Sequence, residues 1–214
     1  MRRGARRALF GNGRPERELD GIFSVPRPIA FVGHGFDFPN QPIRFPERAA
    51  PDVGRAIDAV LEAAPAFGIS SATMGGDTIF LERMFRHENA VRILLPCPKK
   101  KFLAEFVVTD DRVFEVDKWL ADERADVVVV EERRDRKDFW SDFAPRLREI
   151  GEALETALDE KPLLLALWNR QKSFLESVIS QWERKGWPIE ILRLENGVFV
   201  GREPLTAAAA VAAP

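Results

Sequence analysis

The chain has 214 residues and a formal net charge of −2, from 32 basic and 34 acidic side chains, with 45% hydrophobic content that excludes wholesale disorder. So balanced a charge supplies no global field for a polyanion, which predicts no dedicated nucleic-acid binding. The single cysteine, Cys97, excludes an internal disulfide and a thiolate zinc site, and no long apolar span occurs, so no metal, no cofactor and no membrane contact are expected.

Residues 1–22 are rich in Arg and Gly without periodicity and read as a flexible basic arm. Its arginines are not followed by an apolar stretch, so no secretory signal is read and a cytoplasmic location is expected. Pro26 and Pro28 then frame a strand over residues 29–32, which stops at Gly33-His34-Gly35-Phe36-Asp37. Pro39, Pro42, Pro46 and Pro51 rule out a regular helix or a central strand over residues 38–51, leaving a long loop where α/β domains build pocket walls. A helix capped by Asp52 follows, with Val53, Ala56, Ile57, Val60, Leu61 and Ala64 on one stripe.

A short strand over residues 67–71 leads to a second glycine turn, Gly75-Gly76-Asp77, which opens a helix carrying Ile79, Phe80, Met84 and Phe85. The next strand covers residues 91–95, and Lys99-Lys100-Lys101 read as a loop leaving the same sheet edge. A polar helix over residues 113–124 feeds the run Ala125-Asp126-Val127-Val128-Val129-Val130. That unbroken β-branched run predicts a strand covered on both faces. A helix spans residues 139–158, starting at Ser141 or Asp142 or kinking at Pro145. Strand 163–168, a helix over 174–185 closed by Gly186, and strand 189–194 complete the pattern. Residues 201–214 are low in complexity and receive no structure. Strands alternating with helices predict an α/β fold: an open, mostly parallel Rossmann-like sheet with helices on both faces, as one domain over residues 23–200.

The two glycine turns end buried strands and read as two walls of one ligand crevice. In the first, Gly33, His34, Gly35 and Asp37 are candidates: a histidine at a strand end can bond a phosphate or base, or simply a neighbouring carbonyl. In the second, Thr73, Gly75 and Gly76 can cradle a phosphate, while Asp77 can bond ribose hydroxyls or act as a plain N-cap. Trp168 can stack on a base or close the core; Asn169 can read a base edge, and Arg170 can hold an anion. Glu82 is a weak catalytic candidate on a helix flank, without a second carboxylate at a matching position. His87, at a helix end, reads as capping or solvated. No nucleophile triad, metal-ligand spacing or Walker lysine turn appears.

The order Gly33-His34, then Gly75-Gly76-Asp77 with Phe80 and Glu82 on the following helix, resembles the SLOG superfamily of Rossmann-like nucleotide-ligand domains. It is most similar to the branch found as a module beside nucleotide cyclases, TIR and repeat domains. The resemblance spans residues 28–194. It implies a module that binds a phosphorylated nucleoside or related small ligand and signals to a protein partner or effector, with a homo-oligomer compatible with that role. A nucleotide hydrolase cleaving an N-glycosidic or phosphoester bond and a degenerate interaction scaffold are the alternatives. In hydrolytic relatives a Gly-Gly-x-Gly-Thr turn follows the fifth strand, with a glutamate one turn into the helix. Here Trp168-Asn169-Arg170-Gln171-Lys172 holds no glycine, and Ser177 stands at the glutamate position. Enzymatic activity is therefore left open, with the balance against it.

Overall fold

The apolar runs and the helices between them set the chain into three layers. The computed structural model describes residues 26–37, 43–107, 110–130 and 136–205. Strands β1 (Arg27–Gly33), β2 (Ala66–Ser70), β3 (Ala90–Leu95), β4 (Ala125–Val129), β5 (Leu163–Trp168), β6 (Ile189–Glu195) and β7 (Val198–Pro204) form one sheet. Its order is β4-β3-β2-β1-β5-β6-β7. Every pairing is parallel except that of β6 with β7. Helices α1 (Ala50–Leu61), α2 (Gly76–Arg86), α3 (Lys99–Phe106), α4 (Asp110–Trp119), α5 (Arg136–Leu158) and α6 (Phe174–Lys185) cover the faces. This is the expected α/β Rossmann-like architecture.

The period-2 alternation of the central strands divides the core. Ile29 and Phe31 of β1, with Leu163, Leu165 and Leu167 of β5, face α1 to α4; Ala30, Val32, Leu164 and Ala166 face α5 and α6. Phe31 stacks on Phe80 of α2 with centroids 4.8 Å apart and rings 11° from parallel. Fully burying a phenylalanine is worth about 1.5–3 kcal/mol, so this pair helps anchor α2 against β1, together with buried Ile79, Leu81 and Met84. On the other face Trp182 is fully buried, its indole N–H donates to the Pro162 carbonyl at 3.2 Å, and Trp187 meets it edge-on at 4.9 Å.

Several expectations are corrected. The valine-rich run forms β4, but at the sheet edge, half-covered, with Val129 42% exposed. A β-branched run reports a preference for extended, partly buried backbone and does not say how many neighbours the strand has. The lysine run is the first turn of α3 and not a loop, held by Phe102 and Phe106 packing into the core one turn apart. Asp52 does not cap α1: Ala49 occupies that position, Pro51 lies in the first turn where a missing N–H costs nothing, and Asp52 pairs with Arg55. Pro145 sits inside α5, which begins well before Ser141. Residues 201–204, read as tail, complete β7. The basic arm and residues 206–214 lie outside the described residues.

Among the described residues no helix is long and apolar enough to cross a membrane. No group of three or more His, Cys, Asp or Glu side chains there could hold a metal ion.

Candidate functional site

From β1 the chain crosses over through α1 to β2 on one face, and from β5 through α6 to β6 on the other. The carboxyl ends of β1 and β5 therefore mark the topological switch point, the place where open α/β sheets leave a crevice. His34 follows β1 and Asn169 follows β5. His34 is buried, with its Nε2 at 2.9 Å from Asn169 Oδ1. The Gln171 N–H also donates to that Oδ1, at 3.0 Å. An amide nitrogen could not accept that bond, so the amide orientation is fixed and His34 Nε2 must carry the proton. The longer 3.4 Å approach of the Asn169 N–H to the same ring nitrogen is then a contact and not a bond. Burial holds the imidazole below its ordinary 6.5, with Arg44 acting the same way and Asn169 and Asp37 opposing it. His34 is thus neutral at physiological pH.

The second glycine turn is welded to the first by its backbone. Gly76 N–H donates to the His34 carbonyl at 3.0 Å. Gly75 adopts φ 121°, and a Cβ there would lie 2.6 Å from Gly35 Cα and from the His34 carbonyl oxygen. At Gly76 a Cβ would press on Leu167 and Phe31, and at Gly33 on Phe31 and the Gly76 backbone. The glycines are required by loop-to-loop and loop-to-core packing. Thr73 is buried beside them.

Asp77 is neither the N-cap of α2, which is Gly75, nor open to a ribose. It is buried in the first turn, where Ser71 and Thr73 hydroxyls both donate to its Oδ2, the latter at 2.6 Å. Burial raises its pKa from 3.8 to about 6, against the lowering effect of those hydroxyls. Thr78 supplies the capping instead, its hydroxyl oxygen accepting the Gly75 N–H at 3.2 Å. Ser71 and Thr78 were not singled out from the sequence, where hydroxyls near a turn are too common to signal.

Asp37 is likewise occupied: its carboxylate accepts the backbone N–H groups of Arg44 and Phe45, both at 2.9 Å. It pins the proline-rich loop, whose buried Phe45 stacks on Phe36 at 5.0 Å. Residues 38–42 of that loop lie outside the described residues. Trp168 is half-buried against the α5–α6 face, with its indole N–H donating to the Gln171 carbonyl at 3.0 Å. Arg170 takes φ 59° and reaches Glu203 at 2.5 Å. Glu82 does not join them. It lies further along α2, paired with Arg86 at 2.7 Å. His87 bonds Asp58 at 3.0 Å.

The carboxyl-edge segments expose Arg44, Arg48, Lys100, Lys101, Arg170 and Lys172. Acids share that edge: Glu176 in the first turn of α6, Asp37 bonded by backbone amides, Glu47 paired with Arg112, Glu195 with Arg193, and Glu203 with Arg170 and Arg193. The amino edge carries both signs: Glu62, Glu88, Asp122, Glu123, Asp159 and Glu160, with exposed Arg86, Lys161, Arg184 and Lys185. A recess there is lined by Glu88, Asp122, Glu123 and Arg124, and the Arg124 side chain holds Asp122 down at about 2.

No family model and no curated protein matches the chain. Solved structures that share its fold include two of DNA processing protein A. DNA processing protein A (DprA) from Streptococcus pneumoniae superposes with a TM-score of 0.50 at 10% identity, over 77% of this chain and 49% of that one. DprA from Helicobacter pylori, whose structure is described for its single-stranded DNA binding mode, gives 0.50 at 13% identity, over 82% of this chain and 69% of that one. The chain spans about half the length of the S. pneumoniae protein. These neighbours correct the expectation of a nucleotide-derivative sensor with a small-molecule partner and no dedicated nucleic-acid binding.

Proposed function

We propose that the chain is a SLOG-type domain that binds single-stranded nucleic acid along the carboxyl edge of its sheet. The observation that carries this reading is a row of exposed cations at the carboxyl ends of the strands. Exposed Lys100 and Lys101 after β3 and Arg170 and Lys172 after β5 stand on one edge. From β3 to β5 is three strand spacings, about 14 Å, a stretch of edge on which a backbone can meet several cations. The likeness to a DprA studied for single-stranded DNA binding supports the same chemistry. Gly33, Gly35, Gly75 and Gly76 would form the floor of the path. Buried His34, bonded to half-buried Asn169, would hold the two loops in register, and Arg170 would exchange Glu203 for a phosphate. Cytoplasmic action belongs to this reading.

The test is competition. A labelled oligothymidylate bound to the full chain should be displaced by unlabelled single strands and not by thymidine monophosphate at equal nucleotide concentration. Displacement by the mononucleotide with equal efficiency would contradict a polyanion site.

A further inference from the structure

We propose that the buried carboxyl of Asp77 is a proton-operated latch: uncharged it keeps the two glycine turns joined, and charged it lets them part. The group sits where the joint is made. Gly76, whose N–H bonds the His34 carbonyl at 3.0 Å, is its immediate neighbour in the chain. From the other side the hydroxyls of Ser71 and Thr73, just beyond β2, both donate to Asp77 Oδ2. Asp77 therefore stands between the link to β1 and the link to β2, in the first turn of α2.

Its surroundings do not suit a charge. Asp77 is only 5% exposed, and the side chains bonded to it are hydroxyls, not a cation. The other charged and titratable groups at this end of the elements packed on α2 are engaged elsewhere. His34 bonds Asn169, and Asp37 takes the amides of Arg44 and Phe45. Glu47, before α1, pairs with Arg112 of α4, and Asp52 of α1 pairs with Arg55. Cys97, after β3, is a buried thiol. None of these moves the Asp77 proton, which answers to burial first and then to the bonds from Ser71 and Thr73.

A carboxylate left in such a place is relieved only when water reaches it. Parting the turns is the shortest way. The joint there is one backbone hydrogen bond and glycine packing, whereas Phe80, Leu81 and Met84 hold the rest of α2 in the core. Closed, Asp77 keeps its proton up to about 6; open, it sheds it at the ordinary 3.8. Opening thus releases a proton between those values. The open population grows as pH rises through them and levels off above. The latch does not depend on which ligand the carboxyl edge takes.

Hydrogen exchange on the full chain tests this, with the Gly76 amide compared with that of Leu165 in the middle of β5. The Gly76 opening constant should exceed that of Leu165 and depend little on urea, as a local opening does. Its ratio, wild type over Asp77→Asn, cancels any part from His34. That ratio should climb by up to about tenfold per pH unit from about pH 4 to 6 and then level. Thr73→Val, which removes one donor to the carboxylate, should carry the levelling to higher pH. A flat ratio at Gly76 overturns the latch. So does a Gly76 amide that opens no more readily than Leu165, since the turns would then part only when the whole fold is lost.

Discussion

The Nε2–H of His34 donates to Oδ1 of Asn169 across 2.9 Å, joining residues 135 apart in sequence where the order of the sheet reverses. Removing the acceptor strands a buried donor. Asn169→Ala should therefore cost about 1–3 kcal/mol in urea denaturation at neutral pH. In a double-mutant cycle with His34→Ala the second change should add little.

That histidine also sets a pH dependence. Its folded pKa lies below the unfolded 6.5, so the unfolded chain takes up the proton first as acid is added. The contribution is fully present above 6.5 and is lost as pH falls through the depressed folded value. His34→Gln should remove this acid-side loss when stability is measured across pH 7 to 5.

Asp77 acts in the opposite sense. Its folded pKa of about 6 stands above the ordinary 3.8. The folded state therefore holds a proton that the unfolded state has lost between those values. Stability rises as pH falls through this window, and the burden above it is about 3 kcal/mol. Asp77→Asn should flatten that slope while keeping an oxygen for Ser71 and Thr73. Against the His34→Gln background, where its slope is unopposed, the difference between aspartate and asparagine should be plainest.

Two glycines with positive φ should separate cleanly. Gly75→Ala combines an unfavourable φ of 121° with a Cβ 2.6 Å from backbone atoms of the first turn. We expect a loss of about 3 kcal/mol or more. Gly186, which ends α6 at φ 63°, has nothing within 4 Å of a built Cβ. Gly186→Ala should cost only about 1 kcal/mol. Equal losses in thermal denaturation would show that the welded turns are not what Gly75 serves.

The central layer of this fold was legible because β1, β3 and β5 are short apolar runs ended by glycine, proline or a polar turn. Position within the sheet was not: the valines of β4 look like a central strand and sit at the edge. The hairpin into β7 carried a readable signal, Asn196-Gly197, whose φ values of 49° and 75° suit a tight reversal. The glycine and proline inside β7 obscured it. For the site, the meeting of both glycine turns and of His34 with Asn169 follows from strand ends alone, while the Trp168 ring packs on the opposite face. Their chemistry does not. Asp37 and Asp77 look like ligand groups in sequence, and only the fold reveals that backbone amides and hydroxyls already occupy them. Surface polarity was invisible for a simpler reason, since it depends on which loops share an edge.

The central claim is that cations at the carboxyl edge hold the backbone of a single strand. Its most direct test is the salt dependence of oligothymidylate binding by wild type and by the triple variant Lys100→Ala, Lys101→Ala, Lys172→Ala. Each phosphate contact contributes about 0.7 to the slope of log K against log salt for single strands. The account predicts weaker binding by the variant and a slope shallower by about 2, with thermal stability retained because all three side chains are exposed. An unchanged slope with unchanged affinity would contradict it.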